Sequence, residues 1–177
     1  AREVTRRAFV GAVREQGAVV LCPGGQAEMV EHTGGPEADC VTLCTRHSGF
    51  VRLAAAEGAA LVPCFAFSEA VAHRNAGIRL PGFRRLQRWT TRRLGMPLPY
   101  FYAGYAGVTP LPAPVPHAFV VGEPIAPPPT GEPPGAPPGE EYVAELKTRY
   151  YDALVRLFEE HKEEFGYGGL RLVLKHT

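Results

Sequence analysis

The stretch Gly17-Ala-Val-Val-Leu-Cys-Pro-Gly-Gly-Gln-Ala-Glu28 organises the reading of this chain. Its first half, 18–22, is short, apolar and β-branched, and Pro23-Gly24-Gly25 then punctuates it. That pattern predicts a buried strand ending in a tight turn. Adjacent glycines let backbone N–H groups approach a ligand with no Cβ in the way, and Glu28 hangs a carboxylate over the same pocket. A plain strand-to-helix turn also uses Gly-Gly for positive φ, and spacing alone favours that simpler reading.

Working outward, Val4, Phe9, Val10 and Val13 recur at helical spacing among Arg2, Arg6, Arg7 and Arg14, so an amphipathic helix precedes the stretch and ends near Gly17. Residues 31–39, with Gly34-Gly35-Pro36, form an irregular connection. Val41-Thr-Leu-Cys44 is a short strand. Ser48 or Thr45 caps a helix running to Ala56, where Gly58 stops it, and Ala60–Phe67 is the next strand. Strands alternating with helices predict an α/β fold with a mixed or partly parallel sheet flanked by helices.

The chain has 177 residues, with 19 Lys+Arg against 18 Asp+Glu. A net charge of +1 gives no global pull toward nucleic acid. No run of eighteen apolar residues is present, so no transmembrane helix is expected. Cys22, Cys40, Cys44 and Cys64 read as reduced thiols facing a cytosolic environment. Cys40-x-x-x-Cys44-x-x-His47, with His32 upstream, is one loose pair where a zinc site needs two close ones, so no metal is expected.

Charge is concentrated locally. From His73 to Leu94 there are seven arginines and no acid. On a helical wheel Phe83, Leu86, Thr90 and Leu94 share one side and Arg84, Arg85, Arg88 and Arg92 the other, with Trp89 near the edge. This basic amphipathic segment, 73–94, has the make-up of a helix lying in a membrane interface, with Phe83, Arg84, Arg85, Arg88, Trp89 and Arg92 in contact. A basic face packed on the domain fits the same pattern equally well. Met96–Tyr105 is aromatic and proline-rich, suited to an acyl cleft or to core under a loop. His117–Gly122 is another strand, and 126–139 is a Pro/Gly-rich connection. A long helix spans 140–166, with Val143, Leu146, Tyr150, Leu154, Leu157, His161 and Phe165 as its apolar stripe. The tail, 167–177, contains Leu170-Arg-Leu-Val-Leu174, a terminal strand or a docked peptide.

Taken in order, Gly24-Gly-x-x-Glu28, Arg46-x-x-Gly49-Phe50-x-Arg52-x-Ala54, Leu61-Val-Pro63-x-x-x-Phe67, Val120-Val-Gly-Glu-Pro-Ile125 and the helix block Tyr150 to Gly166 resemble the type-2 diacylglycerol acyltransferase family, which includes monoacylglycerol acyltransferases and wax synthases. The resemblance runs over nearly the whole chain, and the order of the blocks carries it. It implies transfer of an acyl group from acyl-CoA, a co-substrate with no further cofactor, to a hydroxyl of diacylglycerol or a related acceptor. Triacylglycerol synthesis is the first expectation. It also implies an endoplasmic reticulum membrane location, on the cytosolic face, or a lipid droplet surface.

Candidate substrate-binding residues are Gly24, Gly25, Gln26, Glu28, Arg46, Gly49, Phe50, Arg52 and Pro63, with Arg46 or Arg52 placed to meet CoA phosphates. Ser68, His47-Ser48 and Gly104-Tyr-Ala106 depart from the family pattern. The family's His-Pro-His-Gly motif, thought to carry the catalytic histidine, does not occur in the 177 residues. In the family it lies upstream of Gly-Gly-x-x-Glu, so 1–177 reads as the C-terminal part of one acyltransferase domain, inactive alone, with Glu28 as catalytic support. A non-catalytic lipid-binding or regulatory paralogue, or another glycerolipid or wax acyltransferase, is the alternative.

Overall fold

The computed structural model describes residues 5–23, 28, 39–68, 74–75, 81–94, 102–103, 111, 114–127 and 135–176. Its elements run α1 (Arg6–Gln16), β1 (Cys40–Cys44), α2 (Gly49–Glu57), β2 (Cys64–Ala66), β3 (Arg74–Asn75), α3 (Phe83–Leu94), β4 (Tyr102–Ala103), β5 (Phe119–Val121), α4 (Glu140–His161) and β6 (Arg171–Lys175). This is the mixed α/β class expected, with the long C-terminal helix. The strands pair as β1 with β6, β2 with β5 and β3 with β4. The chain divides into two compact units, one built from Ala1–Pro23, His47–Cys64 and Val121–Leu157, the other from Gly24–Arg46, Phe65–Val120 and Phe158–Thr177.

In the first unit the Thr5 hydroxyl accepts the Ala8 N–H at 3.2 Å and starts α1. Gly17, at φ 76°, closes it by donating its N–H to the Val13 carbonyl. Arg14 grips the Glu57 carboxylate with Nε at 2.7 Å and Nη2 at 3.1 Å, tying α1 to the end of α2. Helix α2 follows Ser48 and stops at Gly58, as read from sequence, although the Ser48 side chain makes no cap bond. Val51, Ala54 and Ala55 form its buried face. The first part of α4 buries Val143, Leu146, Tyr150, Tyr151, Leu154 and Leu157. Phe50 meets Tyr150 edge-on, ring centroids 5.4 Å apart. Glu140 and Glu141 occupy the first turn of α4, where the helix dipole favours anions.

The second unit contains a parallel pair, β1 with β6, registered from Cys40↔Arg171 to Cys44↔Lys175. The terminal segment is therefore a strand, and the partly parallel pairing expected is present. Strands β3 and β4 pair antiparallel. Phe67 is wholly buried and stacks on Phe158 and Tyr167 at centroid distances of 5.5 and 5.6 Å. Phe65 stands edge-on to Phe67 and Phe158 at 4.9 and 5.1 Å.

Two expectations are corrected. Residues 18–22 are not a buried strand: among the described residues they belong to no ladder, and Val20 is 95% exposed. A β-branched run becomes a strand only where a partner edge satisfies its backbone, and composition does not supply the partner. Helix α3 starts only at Phe83, inside the basic segment expected over 73–94, whose Arg74–Asn75 form β3, and its buried face is Phe83, Gln87 and Thr90, while Leu86, Trp89 and Leu94 are exposed. The Thr90 and Thr91 hydroxyls donate to the Gln87 carbonyl at 2.9 and 2.7 Å, so these polar side chains are satisfied against their own helix.

Candidate functional site

The carboxyl ends of β1 and β6 lie side by side, because the two strands are parallel and Cys44 pairs with Lys175. Ligand sites in α/β sheets characteristically sit outside such strand ends. Glu28 reaches this edge: its Oε1 accepts the Cys44 N–H at 2.8 Å. One residue on, Thr45 is almost completely buried. Its Oγ1 lies 3.3 Å from the Lys175 carbonyl oxygen and 2.7 Å from Nδ1 of His176.

A threonine hydroxyl has one proton, and a carbonyl oxygen only accepts. For both contacts to hold, the hydroxyl donates to the Lys175 carbonyl and the imidazole donates from Nδ1 to the hydroxyl oxygen. His176 is exposed. The strand ends thus assemble a half-buried carboxylate, a buried hydroxyl and an imidazole oriented through Nδ1. The last two were not candidates from sequence. Only the register Cys44↔Lys175 brings position 176 beside position 45.

The other expected residues are dispersed. Gly24, Gly25 and Gln26 lie outside the described residues. Arg46 is exposed, directly after the Thr45 corner. Gly49 opens α2 and is exposed, and the ring of Phe50 is committed to Tyr150. Arg52 holds Glu140 through a two-pronged bond, Nη1 to Oε1 at 2.6 Å and Nη2 to Oε2 at 2.8 Å. That guanidinium keeps the Glu140 carboxyl below its ordinary range, first by hydrogen bonding and then by charge, so a phosphate arriving at Arg52 competes with a bound carboxylate.

Pro63 is fully buried, and its carbonyl accepts the Gly122 N–H at 2.8 Å. A Cβ added to Gly122 would stand 2.9 Å from Pro63 Cγ and 3.6 Å from Leu157 Cδ1. Leu61 and Ile125 exchange backbone bonds at 3.0 and 2.8 Å. The blocks Leu61-Val-Pro63 and Gly122-Glu-Pro-Ile125 are therefore antiparallel neighbours, and Pro63 shapes this contact from within.

The departure at Ser68 has a structural counterpart. Ser68 is wholly buried, and its Oγ lies 2.8 Å from Nδ1 of His117. Cys40 and Cys44 sit at opposite ends of β1, about 13 Å apart at the ~3.3 Å strand rise, too far for one ion. Burial, then Asp39, pushes the Cys40 thiol up. Among the described residues no three His, Cys, Asp or Glu gather as metal ligands, and no helix is long and apolar enough to cross a membrane.

On α3, Phe83 faces inward, which removes it from the contact face expected for it, since periodicity alone does not say which arc of a helix packs. Arg84 belongs to the helix, but its side chain is outside the described set. Arg85, Arg88, Trp89 and Arg92 line an open surface cavity of about 490 Å³.

A family model for diacylglycerol acyltransferase matches residues 5–175. Over 154 residues, 84% of this chain, the sequence is 33% identical to acyl-CoA wax alcohol acyltransferase 2 of Mus musculus and 36% identical to 2-acylglycerol O-acyltransferase 3 of Homo sapiens. Over 157 residues it is 32% identical to diacylglycerol O-acyltransferase 2 of Rattus norvegicus. The chain spans 43%, 43% and 38% of the lengths of these relatives, respectively. No solved structure matches it.

Proposed function

The chain belongs to the diacylglycerol acyltransferase family, and from that footing we propose that the complete protein is an acyl-CoA-dependent O-acyltransferase that converts diacylglycerol to triacylglycerol at the endoplasmic reticulum membrane. One observation carries this reading: the family match extends over residues 5–175, across all the ordered blocks from Glu28 to the α4 helix. The relatives' names give three acceptors, a wax alcohol, a 2-acylglycerol and a diacylglycerol. Diacylglycerol is the one the proposal commits to.

In the reaction, a lipid hydroxyl attacks the acyl-CoA thioester, its proton passes to a base, and CoA leaves as the thiol. A lipid hydroxyl is a weak nucleophile near neutral pH and needs a base within hydrogen-bond reach. The tetrahedral oxyanion needs fixed donors, for which the backbone at Gly24-Gly25 is the candidate. In this reading Glu28 is a positioning residue at the β1 edge, since Oε1 is held by the Cys44 N–H.

The test is an acyl-transfer assay on microsomes carrying the complete protein, with labelled acyl-CoA and diacylglycerol, 2-acylglycerol or long-chain alcohol. Labelled triacylglycerol from diacylglycerol is the expected product. Faster wax ester synthesis overturns the acceptor, and absence of transfer to all three overturns the enzyme class. The 177 residues alone are expected to be inactive.

A further inference from the structure

We infer that the solvent side of α3 is a docking surface for an anionic phospholipid bilayer. This surface does not depend on acyl transfer, and it extends the membrane location proposed above to a named face of the fold. Helix α3 is 12 residues long, about 18 Å at 1.5 Å per residue. Phe83, Gln87 and Thr90 occupy its buried arc. Arg85, Leu86, Arg88, Trp89, Arg92 and Arg93 face solvent on the remaining arc, which therefore mixes long cations with large apolar side chains.

Trp89 is 57% exposed, and Leu94, at the helix end, is 63% exposed. An indole standing in water between guanidiniums has little to recommend it in a purely solvated helix. At a head-group boundary the same arrangement is favourable, because the indole and leucines meet the acyl edge while arginines reach phosphates along their apolar stems. Charge supports the same occupant: no Asp or Glu occurs anywhere from Ala70 to Gly122, so anions for this arc must come from elsewhere in the fold or from a partner. A cytosolic-leaflet surface supplies them at high density, each nearby Arg contributing several-fold in affinity. The surface cavity lined by Arg85, Arg88, Trp89 and Arg92 is open to solvent. Its openness suits a planar array of phosphates better than one enclosed soluble anion.

Trp89 is the sole tryptophan of the chain, so its fluorescence reads the contact directly. The 177-residue chain is titrated with phosphatidylcholine vesicles, with and without phosphatidylserine, and co-sedimentation is measured in parallel. Phosphatidylserine vesicles are expected to bind the chain, shift Trp89 emission to the blue and lose both effects as salt rises. The triple variant Arg85→Gln, Arg92→Gln, Arg93→Gln is expected to bind roughly a hundredfold more weakly. The triple replacement by Lys, which keeps the charges, retains binding, and unchanged melting temperatures show that each variant is folded.

Three results overturn the inference: equal binding to neutral vesicles, unchanged binding by the Gln triple, or no change in Trp89 emission on vesicle binding. Displacement from vesicles by soluble 3′,5′-adenosine diphosphate also overturns it, assigning the arginines to a free nucleotide instead.

Discussion

Thr45 Oγ1 and His176 Nδ1, 131 residues apart in sequence, are 2.7 Å apart just beyond the paired carboxyl ends of two parallel strands. With the Lys175 carbonyl accepting the hydroxyl proton at 3.3 Å, the remaining contact asks Nδ1 of His176 to donate. Thr45→Val keeps the shape of the buried side chain and removes the hydroxyl. Nitrogen NMR of His176 is expected to show the Nδ1–H tautomer in the parent and a tautomer mixture in the variant. The lost bonds are expected to lower stability by about 1 kcal/mol, read from denaturant midpoints. An unchanged tautomer in Thr45→Val would show that the hydroxyl does not orient the ring.

Glu28 separates a structural role from a chemical one. Glu28→Ala leaves the Cys44 N–H without its carboxylate and is expected to cost about 1–3 kcal/mol of stability. Glu28→Gln keeps an acceptor oxygen for the same N–H, so it should melt close to the parent. In the complete protein it is expected to lower kcat on the order of tenfold through the lost charge, with KM little changed. Full turnover in Glu28→Gln would reduce this residue to a strand-end brace.

Gly122 is held tight by its neighbours rather than by a special backbone angle. Gly122→Ala places a methyl 2.9 Å from Pro63 Cγ, and the buried proline ring has little room to retreat. A loss of about 1–3 kcal/mol is expected from overpacking, measured by thermal and denaturant unfolding. A variant as stable as the parent would mean that the strands shift freely at the Leu61–Ile125 bridge.

Arg52 and Glu140 give a pH-dependent signature. Arg52 depresses the folded-state pKa of Glu140, so the pair contributes stability above the unfolded carboxylate range and loses it as pH falls through the lowered folded value. In Arg52→Gln, the Glu140 side-chain carboxyl is expected to titrate higher, in the ordinary range, followed by carbon NMR. Both groups are exposed, so the midpoint of unfolding near neutral pH should hardly move. If CoA phosphates use Arg52, the same variant raises KM for acyl-CoA at unchanged stability. An unmoved KM assigns Arg52 to its carboxylate partner alone.

Much of the fold was legible because local physics set it. The apolar stripe of α4 appears in the sequence at helical spacing and is buried from Val143 to Leu157, although the helix ends at His161 and Phe165, the last residue read into the stripe, lies beyond it and is exposed. Gly58 stops α2 in a left-handed conformation at φ 65°. The strand at Cys40–Cys44 and the helix at Phe83–Leu94 follow from β-branched and amphipathic composition. Short-range patterns of this kind need only neighbours a few residues away.

What tertiary structure decided was which face and which partner. Periodicity groups Phe83, Leu86, Thr90 and Leu94 on one side, yet the fold turns Phe83 and Thr90 inward with Gln87, which is completely buried, and leaves Leu86 and Leu94 exposed. The run 18–22 has strand composition, yet a strand exists only through hydrogen bonds to another, and Val20 stands in solvent. The same holds for the candidate site. Glu28 could be singled out from its spacing after the glycines, whereas His176 gains its role only through the parallel register that sets it against Thr45. The sequence by itself determined the family and the helices α1, α2 and α4, whose patterns are local. The long-range pairing of β1 with β6, whose energy depends on residues far apart in the chain, decided what stands together at the strand ends.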